Sequence, residues 1–135
     1  MATDRYILDA GIPALYLSGN NSVKKYFDRI SDESALGYMC EVNMAEFMYN
    51  YARKYGWQAA EVKVRLIRQS NIRLPVIDEL ITSHAARLKL EHENLFSLGD
   101  CYLLATAKVV DATILTTESR LREYKGLKVL FFPLN

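Results

Sequence analysis

The sequence predicts an α/β fold in which a parallel sheet is covered by helices on both faces. Three observations carry that expectation. Short apolar or β-branched runs alternate along the chain with longer helical stretches, an alternation typical of parallel sheets joined by right-handed crossovers. The first of those runs is continuously apolar, as a strand buried on both faces must be. Half of the 135 residues are apolar, enough to bury one real core and too few for two, so residues 1–135 are expected to form a single domain.

Taken in order, Tyr6-Ile7-Leu8 is an apolar run ending in Asp9. It reads as the first and central strand, with the acid at its carboxyl end. Gly11 and Pro13 then punctuate the chain before a helix begins. Asn21 and Ser22 offer caps for a helix to about Ile30, with Val23, Tyr26, Phe27 and Ile30 at helical spacing. Ala35 to Met39 reads as a second strand. Glu41 to Tyr55 is helical and Gly56 suits the position just past its end. Trp57 to Gln69 is a further amphipathic helix, Ile72 to Val76 an extended piece broken by Pro75, and Asp78 caps a helix to about Leu90. Tyr49, Tyr51, Tyr55 and Trp57 make this middle region aromatic, which core and rim packing explains more simply than a partner surface.

Ser97 opens a stretch that is apolar on nearly every side, including Leu98, Cys101, Leu103, Leu104, Val109 and Val110. A helix of that kind is buried in the middle of a domain. Ser97 and Asp100 also match the S-x-x-D capping pattern, which alone gives Asp100 a reason to exist. After a turn at Asp111-Ala112, Thr113 to Thr116 is a β-branched strand with Glu118 just beyond it. Ser119 to Tyr124 reads as a short helix and Lys128 to Phe132 as the last strand.

Lys and Arg number 17 against 16 Asp and Glu, for a net charge of +1. No global basic field announces nucleic acid, so any polyanion is gripped locally. Arg120, Arg122 and Lys125 are the nearest candidates for phosphate contacts, with Arg65 and Arg68 as alternatives. The start of the chain lacks the basic-then-apolar pattern of a signal peptide, and no apolar run approaches the roughly 18 residues of a membrane span, so a cytoplasmic protein is expected. Cys40 and Cys101 lack the spacing of a zinc site and read as small buried hydrophobes, with a disulfide as the minor alternative. His84 and His92 have no regular ligand spacing and are assigned no chemistry.

Four acids remain: Asp9 after the first strand, Glu46 among apolar residues in a helix with Asn43 one turn earlier, Asp100 at the start of the buried helix, and Glu118 after the next strand. In a parallel sheet all four can converge on one edge, where ligands of open α/β sheets bind. Carboxylates so close repel one another, and a divalent metal removes that cost. Oxygen ligands without His or Cys suit Mg²⁺ or Mn²⁺, and such a site activates water against a phosphodiester.

YILDAG around Asp9, VNMAEF around Glu46, SLGDCYLLATA around Asp100 and ILTTE ending at Glu118 resemble the four signature blocks of PIN-domain ribonucleases, in the family's order and across nearly the whole chain. The size most resembles the toxin member of VapBC toxin–antitoxin pairs. The resemblance implies a three-layer α/β/α sandwich with a central parallel sheet and Mg²⁺- or Mn²⁺-dependent cleavage of RNA. It also implies a homodimer and a small antitoxin partner whose tail enters the active-site groove. Asp9, Glu46 and Asp100 match the family's metal-binding acids. Glu118 stands where the family more often has Asp, and Thr116 matches the hydroxyl residue that helps orient the cluster. A PIN-like module that binds RNA or protein without cutting is the alternative, motivated by Glu118 and the missing basic field; a flap-type DNA nuclease fits less well because the chain lacks room for that branch's extra helices.

Overall fold

Ile7 and Leu8 stand side by side in the first strand and are both fully buried. Successive side chains of a strand point to opposite faces, so these two residues open two separate cores. Ile7 packs with Ile114, Ile81, Leu103 and Leu104 on one side of the sheet. Leu8 packs with Leu115, Ile12, Val23, Met44, Phe47 and Val64 on the other. The structure, a computed structural model, describes residues 3–134.

Five strands form the sheet: β1 (Arg5–Leu8), β2 (Leu36–Tyr38), β3 (Ile72–Arg73), β4 (Thr113–Thr116) and β5 (Val129–Phe131), in the order β3-β2-β1-β4-β5. All four pairings are parallel, with Ile7 opposite Tyr38 on one side and Ile114 on the other. Helices α1 (Gly11–Leu17), α2 (Asn21–Ser31), α3 (Glu41–Tyr55) and α4 (Trp57–Gln69) supply the core on the Leu8 face, and α5 (Glu79–Glu91) and α6 (Leu98–Val110) that on the Ile7 face. This is the three-layer α/β/α sandwich with a central parallel sheet.

The local signals act where the sequence puts them. Asn20 and Asp78 accept hydrogen bonds from the amides of Ser22 and Ile81 and so start α2 and α5. Ser97 and Asp100 close a full capping box on α6, and Asp111 ends that helix in the left-handed region at φ 55°. Gly56 separates α3 from α4 at φ 95°, a conformation glycine adopts at little cost. Helix α1 begins at Gly11, within the Gly-Pro stretch expected to precede a helix. Pro13 lies in its first turn, where a missing N–H leaves no bond unmade, so it helps to start a helix and does not merely punctuate the chain. Cys40 and Cys101 are both buried and free, so they pack as small hydrophobes and do not pair. No helix among the described residues is long and apolar enough to cross a membrane.

Candidate active site

The strand order reverses direction between β1 and β4: from β1 the chain moves outward to β2 and β3, then returns to β4 and continues outward to β5. A crevice opens beyond the carboxyl ends of two strands at such a point, because the crossovers leave in opposite directions. Asp9 follows β1 there and Thr116 ends β4. The Asp9 amide donates to the Leu115 carbonyl (2.9 Å), which fixes the two side chains next to each other. The Thr116 hydroxyl then donates to Asp9 Oδ2 at 2.5 Å and accepts the Glu118 amide at 2.9 Å. Thr116 therefore ties the first acid to the backbone that carries the fourth.

Asp100 enters from the opposite side through the first turn of α6. Its capping bond from the Ser97 amide (3.1 Å) holds the carboxylate in place, so the structural role and a site role coexist in one residue. Glu46 reaches the same turn from α3. Asn43, three residues earlier and buried, donates to Glu46 Oε1 at 2.8 Å and to the Gly99 carbonyl at 3.3 Å. Gly99 is what lets the acid lie there: a Cβ at this position would stand 2.8 Å from Glu46 Cδ. The amino end of α6 adds a favourable partial charge for both carboxylates.

Asp9, Glu46, Asp100 and Glu118 all line one cavity of about 420 Å³, together with Asn50, Tyr51, Lys54, Tyr55 and Arg120. Asp9 is only 5% exposed. Burial pushes its carboxyl up to about 6, the hydrogen bonds from Thr116 and Ala10 pull the other way, and the charges of Asp100 and Glu46 push it further up. Two like charges therefore bear on Asp9, while the two hydrogen bonds it accepts come from neutral donors.

Arg120 is where the sequence reading and the structure part. Expected as a phosphate contact, it instead engages the acids: Nε donates to Asp100 Oδ2 (2.6 Å), Nη2 to Asp100 Oδ1 (3.1 Å) and Nη1 to Glu118 Oε2 (2.8 Å). Arg68 is likewise tied, by a two-pronged pair to Glu41. Arg122 stacks over Phe131, and Arg65 and Lys125 are not among the cavity-lining residues. Lys54 does line the cavity and the residue pattern did not single it out; its helical offset of eight from Glu46 is the signal that could have found it, since such offsets share a face.

Among the described residues, no group of three or more His, Cys, Asp or Glu is assembled closely enough to hold a metal ion as the side chains stand. The donor set nonetheless fits a hard divalent cation: four carboxylates, oxygen donors throughout, with Asp9 and Asp100 buried. The Arg120 guanidinium lies between two of the four, Asp100 and Glu118.

The likeness to known proteins accords with this geometry. The crystal structure of VapBC2 from Rickettsia felis bound to a DNA fragment from its promoter superposes with a TM-score of 0.75 at 13% identity, covering 94% of this chain and 98% of that one. VapBC-1 from nontypeable Haemophilus influenzae gives 0.70 at 17%, covering 94% and 97%. VapC20 of Mycobacterium tuberculosis, described as a toxin that cleaves the sarcin–ricin loop, gives 0.67 at 11%, covering 88% and 95%. At these identities the likeness is one of fold. No curated protein matches the chain by sequence. The family model described as the PIN domain matches residues 6–127, which takes in β1, the acid-bearing helices and the turn after β4, and the chain therefore belongs to the PIN-domain family.

Proposed function

We propose that the protein is an Mg²⁺- or Mn²⁺-dependent endoribonuclease, the toxin of a toxin–antitoxin pair acting in the cytoplasm. The observation that carries the reading is the convergence of Asp9, Glu46, Asp100 and Glu118 on one cavity at the sheet's reversal point. Asp9, Glu46 and Asp100 would hold the cation, with Glu118 completing the set. When bound, such an ion supplies an activated water and neutralises charge developing on a phosphodiester. Thr116 orients Asp9 and keeps its carboxylate aimed into the cavity. Asn43 does the same for Glu46. Beyond the acids, Asn50, Lys54, Tyr51 and Tyr55 lie along one wall, and an amide, an ammonium and two rings are the groups that grip phosphates and unstacked bases of a single strand.

RNA as substrate is supported by family membership and by the described activity of VapC20. A small antitoxin partner is supported by the toxin–antitoxin complexes among the similar folds; a homodimer follows from the family resemblance. The test is cleavage of single-stranded RNA and of DNA of the same sequence, with Mg²⁺, Mn²⁺ or EDTA, by the wild-type protein and by Glu46→Gln. RNA cut only with metal, and not by Glu46→Gln, is the expected result. Equal cutting by the variant refutes the assignment.

One observation favours a second reading, a module that binds without cutting: Asp100 and Glu118 already have a cation in Arg120. Calorimetric titration with Mn²⁺ separates the two, since a binding-only module takes up no metal that depends on Asp9.

A further inference from the structure

The charge balance of the cavity is uneven. Arg120 and Lys54 are the two basic residues that line it among those described, and Arg120 is the one hydrogen-bonded to the acids. Asp9 is held by a hydroxyl and an amide, and Glu46 by a carboxamide. Asp100 is treated differently. Both of its oxygens face the guanidinium, and Oδ2 also accepts the Ser97 amide. Of the roughly four lone-pair sites a carboxylate offers, three are taken. The one site left is on Oδ1 beside the guanidinium, where a divalent ion would meet the full charge of Arg120 at close range.

We infer that Arg120 is the resident counter-cation of the acid pocket, and that a hard divalent cation takes Asp100 only by displacing it. The inference rests on the metal-dependent reading above. Three features make the displacement feasible. The Arg120 side chain is 38% exposed while that of Asp100 is 6% exposed, so the guanidinium can return to water at modest cost and the carboxylate cannot. Its second partner, Glu118, is 46% exposed and loses little when released, as exposed pairs generally do. Arg120 also sits in the short 3-10 helix Ser119–Glu123 at the cavity wall, so its head can leave Asp100 without unfolding a core element. The same contacts hold the pocket together: the guanidinium fork bridges two carboxylates that would otherwise repel. Metal affinity in this protein is then a competition whose terms are set by one side chain.

The experiment compares wild type, Arg120→Gln and Arg120→Lys by Mn²⁺ calorimetry and by thermal melts in EDTA and in saturating Mn²⁺. Arg120→Gln is expected to bind Mn²⁺ about tenfold tighter than wild type, because charge-assisted bonds no longer have to be broken. It is also expected to melt lower in EDTA, with the gap closing once Mn²⁺ is present. Arg120→Lys keeps the charge but not the two-pronged fork, and its affinity should fall between the two. A glutamine variant that folds only with Mn²⁺ supports the inference equally. Wild-type uptake with unchanged or weaker affinity in Arg120→Gln overturns the inference and leaves the metal reading intact. No uptake by wild type or either variant overturns both.

Discussion

Replacing Asp9 by Asn should make the metal-free protein more stable while destroying its activity. The Asp9 carboxyl is 5% exposed and burial moves it from 3.8 to about 6. A group whose proton is held more tightly in the folded state favours folding while that proton is on, and the advantage is lost as the pH rises through the folded value. The window here runs from about 4 to about 6. Above it the ionised Asp9 costs about 3 kcal/mol, at 1.36 kcal/mol per unit; near about pH 4.5 the cost has shrunk to about 1 kcal/mol. Asparagine removes the charge and keeps the shape. Its oxygen still accepts the Ala10 amide and its NH₂ can donate to the Thr116 hydroxyl, the two partners Asp9 has now. In EDTA at about pH 7.5, Asp9→Asn should therefore melt roughly 5 °C or more above wild type, and the gap should narrow by more than half at about pH 4.5. Mn²⁺ at about 1,000 times its dissociation constant should invert the order, since it stabilises only the protein that binds it, by about 4.1 kcal/mol. Circular-dichroism melts under these three conditions decide the matter. If the variant melts at or below wild type in EDTA at neutral pH, Asp9 is not the strained charge the geometry describes.

Other contacts make separate predictions. Gly99→Ala improves intrinsic helix propensity by up to about 1 kcal/mol, yet its Cβ intrudes on Glu46, so melting should change little while RNA cleavage falls at least about tenfold; preserved activity would mean Glu46 is not used where it lies. Thr116→Val removes a hydrogen bond that lowers the Asp9 pKa, so the acid limb of the cleavage profile should move to higher pH by roughly half a unit to one unit, which a pH–rate profile measures directly. Lys54→Ala and Tyr55→Ala, on the cavity wall, should raise KM several-fold with kcat nearly unchanged, as expected of side chains that grip a strand without touching the reacting phosphate; a loss confined to kcat would place them elsewhere in the reaction.

Three of the four acids were legible because each stands where a local pattern changes. Asp9 ends an apolar run, Asp100 completes a capping box and Glu118 follows a β-branched strand, so periodicity alone locates them. Glu46 is legible as an acid inside a helix, but its support is not, since the Gly99 that makes room for it is 53 residues away and looks like any small residue in a buried helix. The Thr116–Asp9 bond joins residues 107 apart and follows only once β1 and β4 are known to be neighbours. The start of α1 was misplaced because Pro13 stops a helix from the inside and starts one from the first turn, and composition does not say which. Arg120 shows the same limit most clearly. A basic residue two positions after a candidate site acid looks like a phosphate clamp, whereas a tight 3-10 turn sends its guanidinium back onto Asp100. Most of the negative charge in this pocket is written into element ends and can be read one block at a time. The positive charge that balances it depends on how a five-residue turn closes, and so the place of Arg120 between Asp100 and Glu118 is a property of the folded chain alone.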